Sequence, residues 1–203
     1  MSQSESKFIF VGGQLVLDFI NTHLQAAAGP VDLLSSFSDL ITWLHQAGVL
    51  DSRQAKTAQA AWGQGEEAGQ LLDQARKFRG VLHHMIDRLA HGQPIQQSTV
   101  DGINQVLARN IGYNHLVQGP TGFEFRFQST GHATSHLLVP IAQAAGELLC
   151  QGDPARIREC GNPPCSLRYY DTSKNRTRRW CSMAICGNRM KAAAFYQRTK
   201  KKD

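Results

Sequence analysis

Four cysteines close to the C-terminus constrain this 203-residue chain more than any other feature. They follow the pattern Cys-x4-Cys, a fifteen-residue insert and a second Cys-x4-Cys, at Cys160, Cys165, Cys181 and Cys186. Two cysteine pairs on short turns can bring four sulfurs to one ion, which is the donor set of a closed tetrahedral zinc site. A segment this short buries too little apolar surface to fold alone, so the metal would supply much of its folding free energy. The spacing therefore predicts one structural zinc ion per chain.

A pair of disulfide bonds in a secreted domain is the alternative interpretation of these cysteines. The first ten residues contain no apolar run behind a basic stretch, which a secretory signal would need. No apolar run reaches the about 18 residues of a membrane span. We therefore expect a cytoplasmic protein with no membrane partner, in which paired thiols favour a metal over disulfides. The fifth cysteine, Cys150, follows two leucines and is interpreted as a buried small apolar residue.

Catalytic motifs are missing from the sequence. All eight histidines precede the cysteine cluster, so no imidazole from the same segment could complete a catalytic zinc site. Four thiolates would also leave no open position for a water molecule. The sequence contains no nucleophile elbow, phosphate loop or dinucleotide fingerprint. We expect no catalytic residues and no enzymatic activity.

Charge divides the chain into two parts. Residues 156–203 contain 13 Lys and Arg against three Asp and Glu, whereas residues 1–155 contain nine against 13. Four thiolates on one zinc ion would offset only about two of the positive charges. Such an asymmetry indicates a polyanion-binding segment attached to a mildly acidic domain.

The insert between the cysteine pairs predicts a β-hairpin with a cationic tip. Residues 166–170 and 176–180 would be its two strands, and the polar residues 171–175 its turn. Because side chains alternate along a strand, Arg176, Arg178 and Trp180 would share one face. The alanine-rich residues after Cys186 predict a helix, with the last two ligands at its start. This order predicts a small treble-clef-like zinc finger with four cysteine ligands.

Cationic and aromatic side chains are mixed throughout the predicted finger, a combination that suits a phosphate backbone. The alternative is that the aromatic residues build the core of the finger and the charges are only solvated. The candidate nucleic-acid-binding residues are Lys174, Arg176, Arg178, Arg179, Arg189, Lys191 and Arg198.

The first part of the chain predicts a helix-rich α+β domain. Apolar residues recur at helical spacing, and the period changes to strand-like alternation at 113–117 and 123–127, which predicts a hairpin. The predicted helices are 33–44 with Asp32 as its N-cap, one starting at Asp51 or Ser52, 66–91, 100–107 and 141–150. With residues 151–154 as a linker, the predicted domains are 1–152 and 153–203.

Two motifs carry a resemblance to known families. The run Arg179-Trp180-Cys181-Ser182-Met183, followed by Cys186-Gly187-Asn188-Arg189 and Lys191, resembles the CGNR zinc finger, which is named for that tetrapeptide. Residues 15–22, LVLDFINT, resemble the opening of the ABATE domain, which precedes this finger in bacterial proteins. Together they cover essentially the whole chain. The resemblance implies a transcriptional regulator whose finger contacts DNA and whose N-terminal domain senses a signal or mediates association.

The polar members of the N-terminal motif are Asp18, Asn21 and Thr22. They are candidates for lining a pocket for a small-molecule effector, and the alternative is capping and local backbone bonding. One finger offers only about 600–1,000 Å² of contact, so we expect a homodimer, formed through the N-terminal domain, that places two fingers on one DNA duplex. The alternative function is a zinc-stabilised protein- or RNA-interaction module without sequence-specific DNA binding.

Overall fold

The structure, a computed structural model, describes residues 6–26, 29–63, 65–119, 122–130 and 134–200. In this part of the chain seven α-helices and six β-strands alternate irregularly. The helices are α1 (Leu15–Ile20), α2 (Phe37–Gln46), α3 (Ser52–Trp62), α4 (Glu66–Ala90), α5 (Gln97–Leu107), α6 (Val139–Gln151) and α7 (Asn188–Thr199). The strands are β1 (His23–Ala26), β2 (Gly29–Asp32), β3 (Gly112–Gly119), β4 (Gly122–Ser129), β5 (Ile157–Glu159) and β6 (Arg168–Tyr170).

The helices enclose one large apolar core in the N-terminal part. The short helix α1 lies at its centre, because Val16, Leu17 and Phe19 are completely buried. It packs against α4 and α6. The long helix α4 buries one stripe of apolar residues, including Leu82 and Met85, as its sequence period requires. The helix-rich α+β class is confirmed.

Two of the described helices, α2 and α3, start at a side-chain cap. Asp51 caps α3, as predicted, and α4 and α5 lie within a few residues of their predicted bounds. The prediction that Asp32 caps α2 is wrong, because Ser36 does so in a capping box with Asp39. Asp32 instead ends β2, where its carboxylate lies 2.6 Å from Arg79 Nη2. Because residues 29–32 pair with β1, helix α2 begins at Phe37 and not at residue 33.

Each of the three sheets described here is a two-stranded antiparallel ribbon. The predicted hairpin is confirmed as β3–β4, with Leu116 opposite Phe125. The β1–β2 ribbon, with His23 opposite Asp32, was not predicted. The third ribbon, β5–β6, pairs Ile157 with Tyr170 across the first two cysteines.

Two sequence expectations concern burial and membranes. Cys150 is exposed at the end of α6, so the prediction that it is buried is wrong. Its position falls on the outward side of the helix, whereas Leu148 faces the core. Among the described residues, no helix is long and apolar enough to cross a membrane.

The C-terminal segment packs on the N-terminal part through buried polar bonds. The Asn21 side chain donates to the Arg168 carbonyl (2.8 Å) and accepts from the Arg168 N–H (2.9 Å), as a neighbouring strand would. The Tyr170 N–H donates to the Gly12 carbonyl at 2.7 Å. These bonds hold β6 against α1 and so position the cysteine cluster. The domain bounds 1–152 and 153–203 stay a prediction.

Candidate metal centre and nucleic-acid interface

The first cysteine pair lies in the loop of the β5–β6 ribbon. The Cys160 N–H donates to the Leu167 carbonyl at 3.0 Å, which extends the ladder by one rung beyond β5. The Cys165 N–H donates to the Asn162 carbonyl at 2.8 Å and closes a tight turn. The loop therefore directs both sulfurs to the same side.

The second pair lies where the chain enters α7. Ser182 accepts through its hydroxyl from the Ile185 N–H and through its carbonyl from the Cys186 N–H (3.0 Å). The Gly187 N–H also donates to the Ser182 carbonyl at 3.0 Å, a bond across five residues that defines one π-helical turn, Met183–Gly187, directly before α7. Cys186 thus lies at the positive end of a helix, which favours a thiolate.

The four sulfurs form a compact group. All of the Sγ atoms lie within 4.8 Å of one another, and Cys160, Cys181 and Cys186 are buried. Zinc–sulfur bonds of about 2.3 Å require sulfurs about 3.8 Å apart in a tetrahedron. The Cys165–Cys181 Sγ distance is 3.9 Å. The four cysteines therefore fit a tetrahedral metal ion.

Hydrogen bonds and burial set the protonation of this group. Asn162 Nδ2 donates to Cys186 Sγ, and the Cys181 N–H donates to Cys160 Sγ, both at 3.3 Å. Burial raises the pKa of Cys165 to about 11, helped by the sulfurs of Cys186 and Cys160. Burial and the neighbouring Cys165 also raise the pKa of Cys181. Burial would raise the pKa of Cys160 as well, but hydrogen bonds from the backbone of Cys181 and Asn162 lower it. Four neighbouring thiols of this kind can all ionise only when a divalent cation offsets the charge of the thiolates.

Two glycines make room for an indole beside the sulfurs. A Cβ atom built on Gly161 would lie 3.2 Å from the Trp180 ring, and one on Gly187 would lie 3.1 Å from it. The nearest atoms are the Arg179 carbonyl oxygen, 3.0 Å from a Cβ on Gly161, and Met183 Sδ, 2.6 Å from a Cβ on Gly187, so a side chain at either position would displace its neighbours. This packing explains the glycine that follows Cys186.

The predicted hairpin within the insert is wrong. β6 pairs with β5, and residues 171–180 form no strand. The completely buried Asp171 organises them instead, accepting from the N–H groups of Ser173 (2.8 Å) and Arg178 (3.1 Å). Arg176 has a φ of 53°, so strand alternation does not apply, and Arg176, Arg178 and Trp180 share no strand face. The Asp-x-Ser turn was the signal that sequence reasoning missed.

A cationic cleft lies beside the metal centre. Its volume is about 470 Å³. The charged residues that line it are Arg158, Glu159, Arg176, Arg178 and Arg179. Arg158, exposed on β5 before the first cysteine, was not among the predicted residues. We call this group the basic cleft.

Arg178 differs from the other cleft arginines because its guanidinium group is held inside the segment. It lies 4.1 Å from the centre of the Tyr169 ring. It donates to the carbonyls of Val11 (2.9 Å), Trp180 (3.0 Å) and Cys181. Arg176 Nη2 lies 2.8 Å from the Asp153 carboxylate. Arg178 thus anchors the insert, and its binding to nucleic acid stays a prediction.

The remaining candidate cations are open to solvent. Helix α7 has no buried residue, and Phe195 and Tyr196 are 63% and 67% exposed. The exposed candidates are Lys174 and Arg179 in the insert, and Arg189, Lys191 and Arg198 on α7. They form two groups, one in the insert and one along the helix.

Comparison with known families agrees with this architecture. A model of the ABATE family, described as "Putative stress-induced transcription regulator", matches residues 13–152. The chain belongs to the ABATE family. A second model, the CGNR zinc finger, matches residues 156–199 and so includes all four cysteines. Both resemblances inferred from the motifs are confirmed, and no curated protein matches the chain.

The polar residues of the ABATE motif are occupied by bonds within the chain. Asp18 Oδ1 accepts from the Gly12 N–H at 2.7 Å. Burial raises the pKa of Asp18, against the opposing effects of backbone hydrogen bonds and Arg178. The Thr22 hydroxyl donates to the Phe19 carbonyl (2.6 Å) and accepts from Arg79 (2.8 Å). With Asn21 bound to the CGNR finger, these contacts are structural, and the ligand pocket stays a prediction.

One further residue of the CGNR finger acts at its junction with the ABATE domain. Arg168 is 9% exposed, and its Nη2 lies 2.5 Å from Asp87 and 2.6 Å from Glu159. Sequence reasoning placed it in a strand without a role. Its acidic partner on α4 is 81 residues away in the chain, so no local pattern pointed to the pair.

Proposed function

We propose that the chain is a DNA-binding transcription regulator. Its CGNR finger, folded around one structural zinc ion, contacts the phosphates of duplex DNA. Its ABATE domain senses a small-molecule signal or mediates association as a homodimer. The observation that carries the proposal is the pair of cationic surfaces, the basic cleft and the exposed helix α7, that belong to the same segment as the cysteine cluster.

The choice of zinc rests on the donor set. Four sulfurs with no histidine or carboxylate among them, at near-tetrahedral spacing, suit zinc better than the oxygen-seeking divalent cations. When bound, the ion supplies a rigid link between the β5–β6 loop and the start of α7. Cys160, Cys165, Cys181 and Cys186 would hold it, while Asn162 orients the Cys186 sulfur.

The choice of duplex DNA rests on α7. The helix has 12 residues and no buried side chain, and only Met190 and Ala194 on it are half-buried, so most of its surface is exposed. At about 1.5 Å per residue it spans about 18 Å, and the major groove, about 12 Å wide, admits a helix. Lys191 and Arg198 on this helix would then meet phosphates on the groove walls. Arg179 and Lys174 would meet the flanking backbone.

The second candidate is a protein- or RNA-interaction module, which one observation favours. The rings of Phe195 and Tyr196 lie 6.0 Å apart on the exposed helix, where both could stack on unpaired bases. Either function is a binding function. The proposal keeps the expectations that the chain is not an enzyme and that it works in the cytoplasm.

Fluorescence anisotropy of zinc-loaded protein on a duplex of about 25 base pairs and on a structured RNA, each at several salt concentrations, tests the proposal. With about five phosphates neutralised, the slope of log affinity against log salt would be about −4 to −5 on DNA. Lys191→Ala, Arg198→Ala and Arg179→Ala would each make it less steep by about one. Lys56→Ala, an exposed lysine of the ABATE domain, is the matched control and would leave the slope unchanged.

Two results would overturn the DNA assignment. A slope that stays the same in all three variants would remove the proposed contacts. Equal affinity for RNA and DNA would favour the interaction module instead.

A further inference from the structure

On strand β3 the side chains of one face, His115 and Val117, are half-buried, whereas those of the other face, Asn114, Leu116 and Gln118, are exposed. The two strands of the β3–β4 hairpin pair only with each other in the described part of the chain. An isolated two-stranded ribbon is marginally stable in water and usually gains a third strand or a packed layer. The hairpin therefore leaves a face for a partner.

One face of this hairpin is apolar and open. The register places Leu116 opposite Phe125 and Gln118 opposite Phe123, and such cross-strand partners point to the same side. Leu116, Phe123 and Phe125 are 58%, 72% and 76% exposed. We call these residues the hairpin face.

We infer that the hairpin face is a homodimer interface, in which it packs against the same face of a second copy across a twofold axis. A twofold interface uses the same patch on both copies, so a patch that carries charge of one sign would repel its own copy. The hairpin face contains no charged residue. The positions of β4 that alternate with it in the sequence are the charged residues Glu124 and Arg126. The absence of charge makes the face compatible with itself.

The area of the hairpin face sets the expected affinity of the homodimer. Phenylalanine side chains bury about 150–250 Å² each, so two of them with Leu116 and their surroundings bury roughly 1,000 Å² over both copies. That area lies at the lower limit of specific interfaces. The dimer is therefore weak and reversible, with a dissociation constant in the micromolar range. Its consequence for DNA, two fingers on one duplex, rests on the proposed function, whereas the dimer itself rests on the hairpin alone.

Sedimentation velocity of the full zinc-loaded chain from about 1 to 200 µM tests the interface against the micromolar affinity expected from its area. The wild type would shift from monomer to dimer over this range. Phe125→Glu would place two carboxylates against each other across the axis and weaken the dimer at least about tenfold. Tyr113→Glu is the matched control, because Tyr113 is 56% exposed on the opposite side of the same ribbon. Far-ultraviolet circular dichroism would show that both variants keep the wild-type fold.

Three outcomes would overturn the inference. These are a wild type that stays monomeric at the highest concentration, a Phe125→Glu variant with an unchanged dimer, and equal weakening by both variants. Fluorescence anisotropy on the DNA duplex distinguishes a failure of the proposed interface from a failure of the proposed DNA binding. A monomeric Phe125→Glu variant that retains the wild-type salt slope per chain leaves DNA binding intact, and a wild-type dimer without DNA binding leaves the interface intact.

Discussion

The ABATE domain and the CGNR finger are stabilised in opposite ways. Large side chains such as Trp43, Leu17 and Met85 are completely buried in the ABATE domain, which packs helices on several sides of one core. Among the described residues, the separate core of the finger has five buried residues, three of which are cysteines, and the half-buried Ile9, Val11 and Leu24 of the N-terminal part pack against it. Leu167 and Tyr169 are the other two buried residues. The same chain thus contains a part held by apolar packing and a part held by its sulfurs.

Magnitudes show why the difference matters. Complete burial of one large apolar side chain contributes about 1.5–3 kcal/mol. Structural zinc contributes about 10–16 kcal/mol in finger peptides. Two completely buried apolar side chains contribute less than that, so a finger folded on the proposed zinc ion would depend on the metal, whereas the ABATE domain would not. The buried bonds between Asn21 and Arg168 connect the two parts.

The largest expected effect is loss of one sulfur. Cys181→Ser removes a buried ligand from the centre of the cluster, so bound zinc would fall from one per chain to nearly none and the finger would unfold. The helices of the ABATE domain would remain. Mass spectrometry of bound metal, together with backbone amide spectra of both parts, measures each outcome.

Cys150→Ser is the control for that experiment, since Cys150 is exposed and lies outside the cluster. It would leave zinc content unchanged. If Cys181→Ser unfolded the ABATE domain as well, the two parts would be one cooperative unit and the contrast between them would be wrong.

An intermediate effect is expected at the junction. Asn21→Ala leaves the buried N–H and carbonyl of Arg168 without their partner, which costs about 1–3 kcal/mol. The ABATE domain and the finger would then melt at separate temperatures in calorimetry, with zinc still bound. Asn175→Ala, in an exposed part of the insert, would keep the wild-type profile. A wild-type profile in Asn21→Ala would show that these bonds do not couple the parts.

The smallest effect is confined to the ABATE domain and depends on pH. Burial would raise the pKa of Asp39, but Lys7 and the hydroxyls of Ser35 and Ser36 lower it to about 2. Because the folded pKa lies below the unfolded one, this stabilisation is complete above about pH 4 and is lost as the pH falls to about 2.

Asp39→Asn would therefore lower the free energy of unfolding at about pH 6 by about 0.5–1 kcal/mol, a small value because solvent screens the Asp39–Lys7 pair. At about pH 2 the difference from the wild type would shrink to near zero. Urea denaturation at both values measures this, and an equal difference at both would contradict the ionic explanation. Zinc content at the higher pH would not change.

Local patterns predicted much of the molecule. The caps at Asp51 and the long apolar stripe of α4 depend on residues a few positions apart, so α3 and α4 lie where expected. Strict alternation predicted β3–β4 for the same reason. The errors occur where distant segments compete for the backbone. β6 pairs with β5 and not with residues 176–180 of the insert. Likewise, β2 pairs with β1, and its last residue, Asp32, is the one that was expected to cap α2.

The sequence alone was sufficient to identify the cluster of four cysteines, the family of the finger that contains them and the concentration of positive charge around them. Ligand spacing and composition are local properties of the chain. Only the tertiary structure decided which cations face solvent. The Arg178 guanidinium group contacts the Tyr169 ring and donates to backbone carbonyls on both sides of the junction. Lys191 and Arg198, in contrast, are exposed to solvent on α7. It also decided that Asn21 and Arg168 meet, since contacts across 147 residues follow from how the core packs.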